Sequence, residues 1–209
     1  MPELILVRHA ETTWNVGEVF RGRLDVALND TGHRQADRLA DYLAGEDISA
    51  IFASPLSRAL ETARPLAERC GLAVKIEPRL IDLDFGEWQG LDREEVMARF
   101  PEMYRLWQEH PESAVPPGGE SLAAVRERSR ALVTEVLAGP VKKVVFTTHR
   151  VVSKVLICAL LGLENDHFWN IHQDTCGVTT FLYDRSFVLL RHNDTAHLRA
   201  LGPGRRADF

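Results

Sequence analysis

The sequence predicts an α/β protein built as a three-layer α/β/α sandwich, with a mostly parallel central sheet and an antiparallel edge strand. Up to residue 76, apolar runs too short for helices alternate with stretches whose apolar residues recur at helical spacing. That alternation is typical of a parallel sheet with right-handed crossovers. Near the C-terminus, the apolar runs 178–183 and 187–190 flank Asp184-Arg185-Ser186, which predicts a terminal antiparallel hairpin.

The first 76 residues contain three predicted strands and two predicted helices. The strands cover residues 4–7, 50–53 and 72–76. The first helix runs from about His33 to Ala44, after the break at Asn29-Asp30-Thr31-Gly32. The second follows Pro55 and ends at Cys70-Gly71, because proline favours a helix N-terminus and glycine the position after its end.

Residues 80–119 interrupt this pattern. They are rich in proline and glycine and contain two short helical pieces, one of which is capped by Asp92 with Glu95 three residues later. We expect a single domain over residues 1–209, in which residues 80–119 are an insertion that covers one end of the sheet and the active site there. The aromatic residues expected in the core rather than against a substrate are Trp88, Phe100, Trp107, Phe168 and Trp169.

The remaining elements complete the sandwich. Ser121 caps a long helix that ends near Gly139-Pro140. A strand at residues 144–147 ends at Thr148-His149-Arg150, and a further apolar helix occupies residues 151–161. Residues 202–209 are expected to be loose.

Composition and charge exclude several classes of protein. The chain has 209 residues, of which 45% are hydrophobic and 26% charged, so it can form one sizeable globular core. The formal net charge of -5 argues against nucleic acid or an anionic membrane as the main partner, because both attract a basic face. A small anionic substrate is compatible with this charge, since a few focused arginines dominate at close range.

The sequence also predicts a cytoplasmic location. No run of 18 apolar residues is present, and no signal-peptide pattern precedes the first strand. Cys70, Cys158 and Cys176 are odd in number and lack CxxC spacing, so we expect reduced thiols. For His167 and His172 we favour a polar loop over a metal site, because no second ligand pair has zinc-like spacing.

Charged and imidazole side chains follow the ends of the predicted parallel strands. Arg8-His9 follow the first strand and Arg58 the second. Asp82 follows the third strand, and His149 follows the strand at 144–147. Since the carboxyl ends of parallel strands share one sheet edge, we expect these residues to meet there. Together they supply a nucleophile, neutralisation of phosphoryl oxygens and an acid for a leaving group, which predicts phosphoryl transfer without a metal.

Several short motifs contain or surround these residues. They are Arg8-His9-Ala10-Glu11-Thr12 with Trp14-Asn15, Ser54-Pro55-Leu56-Ser57-Arg58-Ala59, Phe85-Gly86-Glu87-Trp88-Gln89-Gly90, Gly118-Gly119-Glu120-Ser121 and Thr148-His149. With these motifs the sequence resembles the histidine phosphatase superfamily, the phosphoglycerate-mutase-like group, and in particular its short cofactor-independent phosphatase branch. The resemblance extends over nearly the whole chain, from Leu4 to Leu198.

The resemblance implies a role for each residue that matches a motif. His9 is the implied nucleophile and forms a phosphohistidine, while a carboxylate protonates the leaving group and then activates water. The residues implied to hold the phosphoryl oxygens or to line the same pocket are Arg8, Arg58, His149, Asn15, Arg21 and Gly22. The implied substrate is a small phosphorylated metabolite, and neither a metal nor a cofactor is implied.

Three positions depart from the family pattern. Ala10 in place of glycine is a mild change. The acid slot, usually Glu, holds Asp82, and a misplacement of roughly 1 Å from the shorter side chain can cost about a hundredfold in rate. We favour Asp82 as the acid over nearby Glu87. Arg150 stands where glycine commonly follows the second histidine, and it either contacts an anionic substrate or points to solvent.

Two other functions are weighed against the phosphatase. A mutase is disfavoured, because residues 91–117 mix three arginines with several glutamates and offer no cationic cluster for a substrate carboxylate. A phosphoryl-binding protein that has lost turnover is the second alternative, given Asp82. The substrate stays open among phosphoserine, a sugar phosphate, a phosphoglycerate derivative and a cobalamin-precursor phosphate. Edge-strand pairing makes a homodimer possible.

Overall fold

The computed structural model describes residues 1–17 and 19–202, so the tail predicted to be loose lies outside the described residues from 203 onward. Six strands form one sheet in the order β3-β2-β4-β1-β5-β6. They are β1 (Glu3–Arg8), β2 (Ala50–Ala53), β3 (Val74–Ile76), β4 (Lys143–Thr148), β5 (Val178–Asp184) and β6 (Ser186–Asp194). The pairs among β1 to β4 are parallel, and the pairs that involve β5 are antiparallel. The predicted mixed sheet is confirmed.

Helices flank this sheet. They are α1 (Thr13–Val16), α2 (Asp30–Leu43), α3 (Ser57–Cys70), α4 (Arg93–Arg99), α5 (Pro101–Glu109), α6 (Leu122–Leu137) and α7 (Arg150–Leu160). The predicted caps of α4 and α6 are confirmed, because Asp92 accepts a hydrogen bond from the Glu95 amide at 2.8 Å and Ser121 accepts one from the Ala124 amide at 3.2 Å.

Helix α2 begins earlier than the sequence pattern predicts. Its first residue is Asp30 rather than His33, because the Asn29 side chain accepts a hydrogen bond from the Gly32 amide at 2.8 Å and so caps the helix. Gly32 fits this first turn because a Cβ atom there would lie 2.1 Å from the Glu11 carbonyl oxygen. The segment interpreted as a break is therefore the start of the helix itself.

Alternation along β1 divides the core into two layers. Ile5 and Val7 lie in a buried cluster with side chains of α2 and α3, whereas Leu4 and Leu6 lie in another with side chains of α6 and α7. Successive side chains of a strand point to opposite faces of the sheet, so the two helix pairs cover opposite faces. The three-layer arrangement follows from this alternation.

Residues 80–119, which we call the cover, form a third buried cluster around aromatic rings. Trp88 and Trp107 are fully buried, and Phe85 packs edge-on against Trp107 with 5.7 Å between ring centroids. The cluster includes residues from the first two turns of α6 and α7, namely Leu122, Val125, Val151, Val152 and Val155. Phe168 is also fully buried and Phe100 and Trp169 are partly buried in this cluster, so the predicted core role of the aromatic residues is confirmed.

The terminal hairpin is longer than predicted. Strand β6 continues to Asp194, whereas the apolar pattern predicted an end at Leu190. The extra residues are polar and pair with β5 across two register irregularities, so they carry no alternating apolar signal. The turn is also tighter than predicted, because Asp184 pairs with Ser186 and only Arg185, at φ +60°, lies between the strands.

The chain leaves β1 and β4 in opposite directions. From β1 it passes by α2 to β2, beyond β4, and from β4 it passes by α7 to β5, beyond β1. Adjacent strands with opposite departures create a crevice at their carboxyl ends, where ligands bind in open α/β sheets. Arg8 pairs with Thr148 in register, so the next residues, His9 and His149, emerge side by side.

Two further features follow from the described residues. No helix within them has both the length and the apolarity needed to cross a bilayer. Cys70, Cys158 and Cys176 are free thiols, as predicted.

Candidate active site

The two histidines predicted for the site lie together at the β1–β4 crevice. The His9 amide donates a hydrogen bond to the Thr148 carbonyl at 2.8 Å, which continues the pairing of the strands past their ends. The imidazole centroids of His9 and His149 are 5.3 Å apart, and both side chains are buried. The sheet register itself thus brings the two rings together.

His9 is held in one tautomer by the backbone. Its Nδ1 lies 2.7 Å from the Ala10 carbonyl oxygen, and because a carbonyl only accepts, Nδ1 carries the hydrogen. The lone pair is therefore on Nε2. The Ala10 amide in turn donates to the Thr62 hydroxyl at 2.9 Å, which helps to hold the residue whose carbonyl orients the ring. This arrangement leaves Nε2 as the nucleophilic atom.

The environment of His9 keeps its imidazole neutral. Burial is the largest cause that lowers the pKa of His9 well below its usual value, followed by the positive charges of Arg58, Arg21 and Arg8. A neutral imidazole can attack phosphorus, whereas a protonated one has no lone pair to offer. The positive charges that would attract a phosphoryl group therefore also keep the nucleophile neutral.

Arg58 reaches the site from the first turn of α3, but its guanidinium is engaged by the protein. Nη2 donates to the Gly22 carbonyl at 2.7 Å and to Asp82 at 3.2 Å, and Nη1 donates to the Leu24 carbonyl at 2.9 Å. Its Nε donates to Nδ1 of His149 at 3.2 Å. The side chain is fully buried. Arg58 therefore orients neighbouring groups and supplies positive charge from behind the cavity wall.

His149 is fixed between Arg58 and Ser54. Because Arg58 Nε only donates, Nδ1 of His149 is the acceptor, and the hydrogen of the neutral ring is on Nε2, 2.7 Å from the Ser54 hydroxyl. Burial and then the charge of Arg58 lower the pKa of His149 well below its usual value. Both ring nitrogens thus have protein partners. This geometry differs from the predicted direct contact between His149 and phosphoryl oxygens.

Asp82 presents its carboxylate at the edge of the same cavity. Oδ1 accepts a hydrogen bond from the Leu83 amide at 2.9 Å, and Oδ2 lies 3.2 Å from Arg58 Nη2 and 3.6 Å from Nδ1 of His149. The residue is buried yet lines the cavity. Asp82 and His9 thus line the same cavity.

The cavity is small and strongly cationic. It encloses about 310 Å³ including its solvent-open mouth. The lining residues are His9, Val19, Phe20, Arg21, Gly22, Asp82, Phe85, Arg150 and Val151. Arg8 is not among them; it is buried and donates to the Gln173 carbonyl. A cleft of this size and charge suits a compact anion.

Arg21 is a buried cation with unsatisfied hydrogen-bond donors in the described structure. Its Nε and Nη1 are buried without a hydrogen-bond partner in the described structure. Burial, followed by the charges of Arg8, Arg58 and Arg150, lowers the pKa of its guanidinium. An anionic ligand would supply the missing acceptors and offset this repulsion.

Arg150 lines the cavity and is buried. It is the first residue of α7, directly after His149. Its side chain does not extend into solvent. A second cation therefore stands beside Arg21 on the cavity wall.

Two predicted site residues, Glu87 and Asn15, are not among those that line the cavity. Glu87 is exposed and does not line the cavity, because it lies on a short 3-10 helix at Gly86–Trp88 whose buried side is occupied by Trp88. Asn15 is buried, but its side-chain oxygen accepts hydrogen bonds from the Thr12 amide and hydroxyl, both at 2.9 Å. Only its NH2 group is left to act as the predicted donor.

Sequence reasoning missed several residues that shape the site. Val19, Phe20, Phe85 and Val151 provide its apolar lining. Phe20 is held against the cover by two backbone hydrogen bonds, one to the Leu91 carbonyl at 2.9 Å and one from the Gly90 amide at 2.8 Å. The sequence predicts that the adjacent Arg21 and Gly22 line the pocket, so proximity in sequence is the available signal for Phe20.

The described residues contain no group of three or more His, Cys, Asp or Glu side chains placed to hold a metal ion. His167 contacts neighbouring Asp166 at 2.5 Å, and His172 contacts Asp174 at 2.9 Å. The first pair lies on a 3-10 helix at Asn165–Asn170 and the second in the loop that follows it, so they are separate local pairs.

Comparison with known proteins identifies the family. Residues 4–195 match the sequence profile of the Histidine phosphatase superfamily (branch 1). The chain belongs to this superfamily. Phosphoserine phosphatase 1 of Hydrogenobacter thermophilus is 40% identical over 200 residues, which cover 95% of each chain. The glucosyl-3-phosphoglycerate phosphatase of Mycolicibacterium vanbaalenii is 38% identical over 173 residues, 79% of this chain and 76% of that protein.

A solved structure shows the same fold in this histidine phosphatase group. The mycobacterial glucosyl-3-phosphoglycerate phosphatase in complex with VO3 superposes with a TM-score of 0.87 at 33% identity, over 93% of this chain and 100% of that one. The family and these relatives confirm the prediction that the chain is a phosphatase.

Because His9 and His149 are buried with lowered pKa values, the free energy of unfolding should fall as the pH drops below about 6.5. The unfolded chain binds protons there, while the folded site resists them. Between its pKa in the unfolded chain and its lower pKa in the folded protein, each histidine should reduce the free energy of unfolding by about 1.4 kcal/mol per pH unit. Above the unfolded pKa it should have no effect. Urea unfolding of wild type and His9→Ala at pH 7.0 and 5.5 measures this loss.

The variant should lose less stability than wild type between these two pH values, because one of the two histidines is absent. His33→Ala, which removes an exposed histidine of α2, should keep the wild-type pH dependence. Equal pH dependence in wild type and His9→Ala would contradict the burial of a neutral His9.

Proposed function

We propose that this histidine phosphatase hydrolyses small phosphate monoesters by transferring the phosphoryl group to Nε2 of His9. The observation that carries the proposal is that one cavity holds both this neutral imidazole and the buried guanidinium of Arg21. Two nitrogens of that guanidinium have no hydrogen-bond partner among the described residues. A phosphoryl group fits both, because its phosphorus takes the lone pair and its oxygens take the donors.

In the first step, the lone pair of His9 Nε2 forms a bond to phosphorus while the bond between phosphorus and the leaving oxygen breaks. Protonated Asp82 gives its proton to that oxygen and becomes a carboxylate, which pairs with Arg58 at 3.2 Å. The positive charges of Arg21 and Arg8 stabilise the negative charge on the phosphoryl oxygens. The products are a free alcohol and phosphohistidine.

In the second step, the Asp82 carboxylate removes a proton from water as the water oxygen bonds to phosphorus. The bond between Nε2 and phosphorus breaks, and its electron pair returns to the imidazole. Phosphate leaves, and Asp82 is protonated again for the next cycle. Arg58 holds the Asp82 carboxylate at 3.2 Å, and His149 holds Arg58 by accepting from its Nε at 3.2 Å, so we assign both residues positioning and electrostatic roles.

The cation pair on the cavity wall suggests a substrate with a second anionic group. Arg21 and Arg150 both line the cavity, so a substrate that carries a carboxylate beside its phosphate would meet two positive charges there. The relatives named above act, by their names, on phosphoserine and on glucosyl-3-phosphoglycerate, which both carry a carboxylate. We propose a phosphorylated carboxylic acid as the substrate class, with the cover shielding it from solvent.

The experiment that tests the reaction is a comparison of phosphate release with isomerisation. The purified protein is incubated with phosphoserine, 3-phosphoglycerate, a sugar phosphate and 4-nitrophenyl phosphate, and both free phosphate and 2-phosphoglycerate are measured. We expect phosphate to be released, and we expect isomerisation of 3-phosphoglycerate to be no faster than that release. Isomerisation that outruns release would establish the mutase and overturn the proposed reaction.

Substitution of Arg150 by methionine should raise the KM for phosphoserine or 3-phosphoglycerate by about tenfold or more, because a charge-assisted contact is lost. The KM for phenyl phosphate, which has no carboxylate, should change by less than about threefold. Steady-state kinetics on the two esters measures the difference. Arg130→Met on the exposed side of α6 is the matched control and should affect neither. An equal rise on both esters would place Arg150 at the phosphoryl group instead.

A further inference from the structure

The segment that carries Asp82 is not part of the sheet. It begins after a 3-10 helix at Pro78–Leu80 and continues without helix or strand structure to Phe85. Strand pairing therefore cannot fix the Asp82 carboxylate, although a short side chain needs an accurately placed backbone. Other contacts must hold this segment.

Side chains from neighbouring elements bind its carbonyl groups. The Thr148 hydroxyl donates to the Leu80 carbonyl at 2.7 Å. Arg128, on α6, donates from Nη1 to the Arg79 carbonyl at 2.6 Å and from Nη2 to the Asp82 carbonyl at 3.3 Å. One guanidinium thus holds the segment on both sides of Leu80.

Glu120 holds that guanidinium in turn. Its Oε1 accepts from Arg128 Nε at 2.9 Å and its Oε2 from Nη2 at 3.0 Å, a two-pronged pairing. The Glu120 amide also donates to the Asp84 carbonyl at 2.8 Å. The Arg128 and Glu120 side chains are only 16% and 14% exposed, so water competes weakly for these bonds.

We propose that Arg128 is a positioning residue for the general acid, and that it positions Asp82 by its hydrogen bond to the Asp82 carbonyl. Arg128 does not line the cavity, so it touches neither substrate nor reacting atoms. The proposed action is exerted through Asp82, and the inference rests on the acid role proposed for that residue. The family usually has glutamate at this position, and the aspartate side chain is shorter. We infer that the hydrogen bonds from Arg128 compensate by fixing the backbone that carries Asp82.

Leaving-group dependence separates positioning from general stability. Phenyl phosphate and 4-nitrophenyl phosphate have similar shapes, but the nitrophenolate leaves with little need of a proton while phenolate needs the acid. The kcat/KM of both esters is measured for wild type, Arg128→Met, Arg128→Lys and Asp82→Asn. Arg126→Met is the control, because Arg126 on the same helix holds the Leu163 carbonyl at 2.7 Å, away from Asp82.

Arg128→Met should lower kcat/KM for phenyl phosphate by about ten- to a hundredfold and for 4-nitrophenyl phosphate by less than about threefold. Arg128→Lys keeps one donor and should fall between wild type and Arg128→Met, which supplies a second variant if the methionine variant does not fold. Arg126→Met should leave the ratio of the two rates unchanged, even if it lowers the melting temperature.

Two results would overturn the inference, and they differ from each other. If Asp82→Asn loses activity selectively on phenyl phosphate but neither Arg128 variant does, Arg128 is only structural and the proposed reaction stands. If Asp82→Asn shows no selectivity, the acid role itself fails and the role of Arg128 fails with it.

Discussion

His9→Ala should abolish phosphate release while the protein stays folded. In the described structure Nε2 of His9 carries a lone pair in the cavity, whereas both nitrogens of His149 are engaged by Arg58 and Ser54. No imidazole is therefore left to replace the nucleophile, and kcat should fall by at least about four orders of magnitude. The measurement is phosphate release together with acid-quench trapping of a radiolabelled, acid-labile phosphoprotein from a labelled ester.

The labelled intermediate should form in wild type and be absent in His9→Ala. His33→Ala should behave as wild type, because His33 is exposed on α2. Vanadate binding should survive in His9→Ala, since Arg21 and the other cations remain. A wild-type protein that binds vanadate but releases no phosphate from any ester would instead be the phosphoryl-binding protein weighed as an alternative.

The gathering of the site could be predicted from the sequence because it depends on backbone topology. Short apolar runs marked β1 and β4, and parallel strands bring their carboxyl ends to one edge. The register that pairs Arg8 with Thr148 then leaves little freedom for His9 and His149. Pattern reasoning succeeds here because a strand end determines where the next residue lies.

The arrangement of partners within the site could not be predicted in the same way. Arg58 was expected to contact phosphoryl oxygens, yet it binds the Gly22 and Leu24 carbonyls, His149 and Asp82. Those carbonyls belong to an irregular loop. The sequence contains no periodic pattern that would predict in which direction the carbonyls of such a loop point. Whether an arginine lines the cavity or lies behind its wall depends on such contacts.

Glu87 and Arg150 show that the local backbone conformation determines whether a side chain reaches the cavity. Glu87 is five residues after Asp82, but the 3-10 helix at Gly86–Trp88 directs Trp88 inward and Glu87 outward. Arg150, by contrast, begins α7 and lines the cavity. Neither outcome follows from composition, because the direction of a side chain in a single turn depends on φ and ψ at each residue.

Asp82→Asn should lower kcat/KM for phenyl phosphate by about a hundredfold to ten-thousandfold, the range expected for loss of a general acid. Asparagine keeps the shape and the hydrogen bond from the Leu83 amide, but it has no proton to give to the leaving oxygen. Glu87→Gln should stay within about threefold of wild type, because Glu87 is exposed and lies off the cavity. Steady-state kinetics of both variants on phenyl phosphate provides the comparison.

The pair of variants also decides between the two carboxylates that the sequence offered as acid. A larger loss in Glu87→Gln than in Asp82→Asn would move the acid to Glu87 and require the 3-10 helix at Gly86–Trp88 to turn inward when substrate binds. Asp82→Glu supplies a further check. If the backbone clamp of Arg128 is what adapts the site to aspartate, the added methylene should push the carboxyl towards the His9 ring and lower activity. Restored or higher activity in Asp82→Glu would mean that the site still fits the longer acid and that aspartate limits its rate.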